Sequence, residues 1–403
     1  MLMKQNNCKT RAGRRAGSRL ASVLTVLALL LCVSTGAWAQ TETYTVRMKK
    51  GTKDADKWTV TPAEATTTGV AEGTTVSLTY GGRLKVKGVT AKIAPIDLSE
   101  LTKDYTAKNG DVLTGTLDGQ TQPYKISIAD GATVTLAGVT INGVNNMSYK
   151  WAGLTCEGSA TIILKDGLTN IVKGFYENYP GIFVPKDETL IIKGEAAGTG
   201  ALTASPFDGD GKKSYGAGIG GEYLSDCGNI EIQGGNITAT GGMYAAGIGS
   251  GIRSCGTITI SGGNITATGG HWAAGIGSGY DYMASCGDIT ISGGTITATG
   301  GMDAAGIGSG YSTGYTDDPI SSCGTISITT GVTKVTAKKG SGADNSIGAG
   351  EGSTCGTVTI GCTLDSGGHP VGGTEYWDGS DYNYQNDGDT YLTQDTITYE
   401  PSN

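Results

Sequence analysis

Residues 257–261 (TITIS) and 264–268 (NITAT) alternate apolar and polar positions with a period of two, and both pieces return as 288–292 (DITIS) and 295–299 (TITAT). That alternation predicts short strands with Ile258, Ile260, Ile265 and Ala267 turned inward and Thr257, Thr259, Thr266 and Thr268 outward. Each pair of strands is preceded by a glycine-rich phrase, AAGIGSG at 245–251 and 273–279 and AAGIGSGY at 304–311. Small Ala and Gly there predict a cramped corner with a nearly flat outer face.

Aligned on the Gly-Ile/Leu step, the copies fall at Gly153, Gly181, Gly218, Gly247, Gly275 and Gly306, with Ser346-Ile347 as a degenerate member. Successive intervals are 28, 37, 29, 28, 31 and 40 residues. Three short strands in about thirty residues match one turn of a stacked solenoid, whereas a propeller blade needs four strands in about 40–50. The fold expected is all-β: a right-handed parallel β-helix of about eight coils over residues 105–362, its hand taken from the general bias of parallel crossovers. The longer intervals mark loop insertions at 205–214, 312–321 and 338–346.

Flanking segments read differently. Residues 40–100 alternate between Gly/Asp turns as a small antiparallel β-module. Residues 363–403, rich in Tyr, Asp and Gly, read as an acidic cap or tail over the last coil, because an uncovered solenoid end exposes strand edges. Residues 1–39 carry a basic stretch (Lys4 to Arg19), the apolar run VLTVLALLLCV and AWA at 37–39, the pattern of a secretory signal peptide. The expected location is therefore exported: cell surface, periplasm or secreted. No later segment is long and apolar enough for a transmembrane helix.

Glycine supplies 69 of 403 residues but proline only 9, and Val, Ile and Thr abound, so the composition is that of a turn-rich β chain rather than of disorder. The formal charge of −8 becomes −14 once the six basic residues of 1–39 are removed, which disfavours a nucleic-acid partner. The segment 363–403 holds eight carboxylates and no Lys or Arg.

Cys227, Cys255, Cys286, Cys323 and Cys355 occupy one position in five successive copies, each followed by Gly. No CxxC spacing marks a zinc site. Export makes disulfides possible, but stacked residues about 4.8 Å apart with parallel side chains miss the roughly 3.8 Å Cβ separation of a disulfide, which favours a column of buried free thiols.

Two columns of side chains flank the glycine phrase. The position before AAG or GAG holds Tyr215, Tyr244, Trp272 and then Asp303, with Trp151 and Tyr179 one residue out of register in earlier copies. The position after GSG holds Tyr223, Ile252, Tyr280 and Tyr311. Rings with polar handles at the pitch of one coil form a platform for a glycan chain, with an almost side-chain-free floor between the columns; the alternative is that the rings stack on one another and shield the coil edge. The outward Thr rows are ordinary strand residues. No carboxylate pair, metal-holding Asp cluster or partnered His marks a catalytic constellation, and His271 and His369 are the only histidines. The oxygen-rich turns at Asp208 and Asp210 and at Asp387 and Asp389 are calcium candidates; no other cofactor is indicated.

At the units AAGIGSG…CGTITISGG…ITATGG the chain resembles secreted bacterial β-helix proteins of the carbohydrate-binding-domain type, typical of gut anaerobes, over about 105–362. The resemblance implies an exported solenoid that binds polysaccharide without cleaving it; some relatives look like calcium-associated pectin binders. The expectation is a non-catalytic, adhesin-like glycan binder of unknown oligomeric state. The alternatives are a display or spacer protein with protein partners, and a divergent polysaccharide lyase or glycosidase.

Overall fold

The structure is a computed structural model that describes residues 95–207, 213–281, 283–313, 321–377 and 391–402 and the backbone of six strands between Leu31 and Thr90. Two units divide the chain, Met1–Ala94 and Pro95–Asn403.

In the first unit, Trp58–Thr61, Thr75–Tyr80 and Leu84–Thr90 form an antiparallel three-stranded sheet. A second small sheet joins Leu31–Cys32, Thr43–Thr45 and Val70–Ala71, also antiparallel.

The second unit is a parallel β-helix. Its Gly-Ile step makes a nine-stranded sheet running from Tyr105–Ala107 to Ile347–Gly348, nine rungs where the repeat count gave about eight coils. Two further ladders close the coil. One stacks Ile230, Ile258, Ile289, Ile326 and Val358, and the other Ile237, Ile265, Ile296 and Val335. A fourth, four-stranded ladder is made by Ser254–Cys255, Ser285–Cys286, Ser322–Cys323 and Thr354–Cys355. The glycine after each Cys separates that pair from the next strand, which is how residues three apart both face inward.

Alternation decides the core. Ile258, Ile260, Ile265 and Ala267 are at most 1% exposed, while Thr257 and Thr266 are exposed. Each buried Ile contributes about 1.5–3 kcal/mol of transfer free energy, so columns of them dominate the stability of the coil stack.

The second glycine of the GIG step is fixed by its backbone. Gly249, Gly277 and Gly308 have φ of 135°, 135° and 136°, and a Cβ on each would meet a carbonyl oxygen one coil on at 2.0, 1.8 and 1.9 Å. The serine that follows is buried for a different reason. Ser250, Ser278 and Ser309 are 0% exposed, and their Oγ atoms accept the N–H of Gly279, Gly310 and Gly350, one coil further along. The phrase therefore encodes close coil contact (Gly) and an inter-coil hydrogen bond (Ser).

Both ends of the stack are covered. Ile96–Asp97 pairs in parallel with Leu113–Thr114, and the short 3-10 turn Leu98–Glu100 buries Leu98. At the other end Thr396–Tyr399 pairs antiparallel with Lys334–Lys338, and Pro370–Val371 and Thr374–Trp377 pair antiparallel with Val358–Leu364.

Candidate functional site

The paired isoleucines set the register of the two side-chain columns. Ile219, Ile248, Ile276, Ile307 and Ile347 are direct neighbours in the ladder. Four residues before each lie Tyr215, Tyr244, Trp272, Asp303 and Ala343; four after lie Tyr223, Ile252, Tyr280, Tyr311 and Glu351.

The structure brings six of the eight expected rings into one ridge. Tyr215 stacks on Tyr244 at 5.3 Å, and Tyr244 on Trp272 at 5.4 Å with only 5° between the planes. The second column leans on the first: Tyr215–Tyr223 at 5.1 Å, Tyr244–Tyr280 at 5.1 Å, Trp272–Tyr280 at 5.0 Å and Trp272–Tyr311 at 6.3 Å, tilted by about 40°. Tyr280 and Tyr311 stack at 5.7 Å.

This corrects the expectation of an open floor between two columns. Ala245–Gly251 and Ala273–Gly279 are buried, and the columns touch. A corner of seven residues, six of them small and the Ile turned into the core, is short enough to bring the residues at its two ends together, so the rings meet instead of flanking a gap.

The other two rings sit elsewhere. Trp151 contacts Tyr149 at 5.3 Å and Phe175 at 5.7 Å and packs on the core, with its Nε1 buried and unpartnered. Tyr179 pairs with Tyr176 at 6.4 Å. Being one residue out of register turns both away from the ridge line.

Every ridge ring is half-buried. The hydroxyls of Tyr215, Tyr223, Tyr244 and Tyr311 have no hydrogen-bond partner among the described residues and are not among the buried polar atoms, so they reach solvent. Ring faces inside the stack are spent on each other, while the rims and polar handles line the surface. Exposed apolar side chains gather in the same loops: Leu224 follows Tyr223, Met302 precedes Asp303, and Met283 lies three residues beyond Tyr280.

The repeat reading missed Glu351 and Asp344. Partial desolvation, then the neighbouring Asp303 and Asp344 charges and a hydrogen bond with Asp303, push the Glu351 carboxyl above its ordinary range. Glu351 has the register of Tyr311, so the ladder pairing was the signal that could have found it. Asp281 and Asp303 hold left-handed backbone, with φ of 107° and 61°. Lys186, at 2.9 Å, does most to hold the Asp226 carboxyl below its ordinary range, with a smaller pull from Arg253, which lies against Met283.

The cysteine column is stacked as the repeats require, but it is not uniformly reduced. Cys227 and Cys255 form a disulfide with Cα atoms 4.5 Å apart, while Cys286, Cys323 and Cys355 are buried thiols. The objection from coil spacing fails here because 4.5 Å lies within the Cα separations that disulfides span, and the side chains turn toward each other instead of running parallel.

The calcium candidates Asp208, Asp210, Asp387 and Asp389 lie outside the described residues. Among the described residues no group of three or more His, Cys, Asp or Glu is arranged to hold a metal ion. No helix of the described residues is long and apolar enough to cross a membrane.

The ladders and their buried Ile columns define the class: a parallel β-helix protein. A family model described as a beta helix repeat matches residues 230–252, 258–280 and 289–311, the three most regular coils. No curated protein and no solved structure gives a significant match.

Proposed function

We propose that the chain is an exported, non-catalytic β-helix protein that binds glycan along the Tyr215–Tyr311 ridge. One observation carries the reading: six half-buried rings from four successive coils form a continuous ridge, and the hydroxyls of Tyr215, Tyr223, Tyr244 and Tyr311 along it reach solvent. A regular row of rims, each offering an apolar edge and a polar handle, suits a chain of sugars better than a small compact ligand. Export is supported by the leader pattern of residues 1–39 and by the Cys227–Cys255 bridge, since disulfides persist in oxidising compartments.

The test is retention of residues 40–403 on polysaccharide affinity gels. Trp272→Ala combined with Tyr244→Ala should leave the coils folded, with a thermal midpoint lowered by the lost ring stacking, and weaken retention by about tenfold, the order expected for two aromatic contacts at a binding surface. Unchanged retention of that variant removes the ridge from the binding site.

A display or spacer role is favoured by a different fact: the faces of Tyr244 and Trp272 are consumed by each other, as in a purely structural stack. It becomes the better account if a broad glycan screen finds no ligand.

A further inference from the structure

The ridge is an aromatic surface bounded by negative charge, and that boundary bears on which sugars it accepts. Resting on the reading above, we propose that the ridge selects amine-bearing glycans, chains of amino sugars whose nitrogen is protonated, and rejects polyuronates.

Carboxylates meet the rings at both ends. At the first end the Tyr215 N–H donates to the Glu177 carbonyl, which puts that residue beside the ring, and Glu222 immediately precedes Tyr223; after desolvation, the Glu177 charge raises the pKa of Tyr215. At the other end the ring columns give way in register to Asp303 and Glu351, one coil beyond Trp272 and Tyr311 respectively, with Asp344 close to Glu351. Asp281 follows Tyr280 directly.

The basic groups are fewer and largely occupied. Lys339 Nζ donates to the carbonyls of Asp344 and Thr393 and is only 15% exposed, so it is committed to the C-terminal strand. Arg253 is drawn toward Asp226 and Met283. Lys186 pairs with Asp226. His271 stands edge-on to Trp272 at 4.5 Å, and Lys213 is exposed two residues before Tyr215.

A carboxylate beside the ridge attracts an ammonium group by charge, while the ring rims and hydroxyls, whose stacked faces are closed to a cation, hold the sugar that carries it. A uronate chain laid on the same ridge brings its carboxylates against Glu177 and Glu222 at one end and Asp303 and Glu351 at the other. That repulsion acts at an exposed surface and is screened by salt. A neutral chain keeps the ring contacts and gains nothing from the charges. The formal charge of −14 on residues 40–403 adds a general pull on cationic polymers, so the test must separate that pull from the ridge itself.

The test measures binding of residues 40–403 to three hexasaccharides by calorimetry at pH 6, in low and in high salt: glucosamine, N-acetylglucosamine and galacturonic acid. The glucosamine hexamer should bind about tenfold more tightly than the N-acetylated one at low salt, and the gap should close in high salt. Galacturonate should bind weakest. Asp303→Asn with Glu351→Gln should erase most of the glucosamine preference and leave N-acetylglucosamine binding unchanged. Glu177→Gln with Glu222→Gln repeats the measurement at the other end should the first pair disturb folding. Trp272→Ala with Tyr244→Ala should abolish the preference too, which general attraction to an acidic protein would not do. Galacturonate binding as tight as glucosamine, or a preference that survives both carboxamide pairs, overturns the proposal. If the N-acetylated hexamer binds well and the amine adds nothing, the selection fails while glycan binding stands. If none of the three binds, the glycan reading falls and takes this inference with it.

Discussion

At the residue scale the glycine of each GIG step is the position that the coil stack tolerates least. Gly277 has φ of 135°, a region essentially closed to other residues, and a Cβ would sit 1.8 Å from the Gly308 carbonyl oxygen. Gly277→Ala must both strain the backbone and push two coils apart, which should cost about 3 kcal/mol or more. Gly131 supplies the control. Its φ of 69° also favours glycine, but nothing lies within 4 Å of the added methyl, so Gly131→Ala should cost about 1 kcal/mol. Thermal midpoints of the two variants check the difference; equal midpoints would mean that the coils are not in the contact described. The glycine and serine spacing was legible in the sequence because a repeat exposes any residue that geometry demands every coil. Asn170 was not. It is fully buried, its Oδ1 accepts from Gly138 and Val139 at the bulge in Ala132–Asn142, and its Nδ2 donates to Ala201. That role belongs to one coil only, so no repetition announces it; the inward parity it shares with Val172 was the one clue.

At the element scale the cysteine ladder shows where sequence reading stops. The column itself followed from spacing, and the strand pairing bears it out from Cys255 to Cys355. The bridge between Cys227 and Cys255 depends on side-chain rotation and on a 4.5 Å approach, neither of which a repeat encodes. The ridge shows the same boundary: the register of its rings was readable, but their convergence over the glycine corner depends on how tightly that corner turns. For the thiols the expectation concerns pH. Burial pushes Cys156 up from 9.0 to about 12, and Cys286 and Cys323 also lie well above the ordinary thiol value. Below pH 9 these groups are protonated in both folded and unfolded chains, and their contribution is fully present. Between pH 9 and the raised folded value only the unfolded chain ionises, so it binds fewer protons and stability falls as pH rises. Cys156 alone should remove about 1.4 kcal/mol per pH unit over that window. The midpoint of Cys156→Ala, though lower at pH 8, should decline less steeply from pH 9 to 11 than that of the parent. Parallel declines would mean that the thiol is accessible. Peptide mapping without reductant should recover Cys227 linked to Cys255 and leave Cys156, Cys286, Cys323, Cys355 and Cys362 unalkylated until the chain is unfolded.

At the scale of the whole solenoid the problem is the open end. Each coil satisfies its backbone with its neighbours, so the last coil would present unpaired N–H and C=O groups along two ladders, a template for a second chain. The chain answers with antiparallel strands. Val335 to Lys338 pair with Tyr399 to Thr396, the N–H of Ser346 donates to Leu392, and Lys334 meets Glu400 at 2.7 Å. Ile397 and Leu392 are 1% and 4% exposed, and Tyr376 and Tyr391 stack at 4.9 Å beside the core. A parallel strand there would only recreate the same edge one step further on, whereas an antiparallel return closes it with a short segment carrying many carboxylates. The eight carboxylates of 363–403, with no Lys or Arg among them, then oppose the approach of a second acidic cap. A chain ending at Leu364 should therefore keep its coils, as strand content by circular dichroism would show, yet associate with rising concentration in sedimentation. Ile397→Asp in the full chain should act in the same direction more weakly, because it loosens the cap without removing it. Salt should promote association of Ile397→Asp by screening the charges that remain, but change the truncated chain far less, since that chain has lost them. A truncated chain that stays monomeric at every concentration, with the parent's thermal midpoint, would show that these strands do not close the stack.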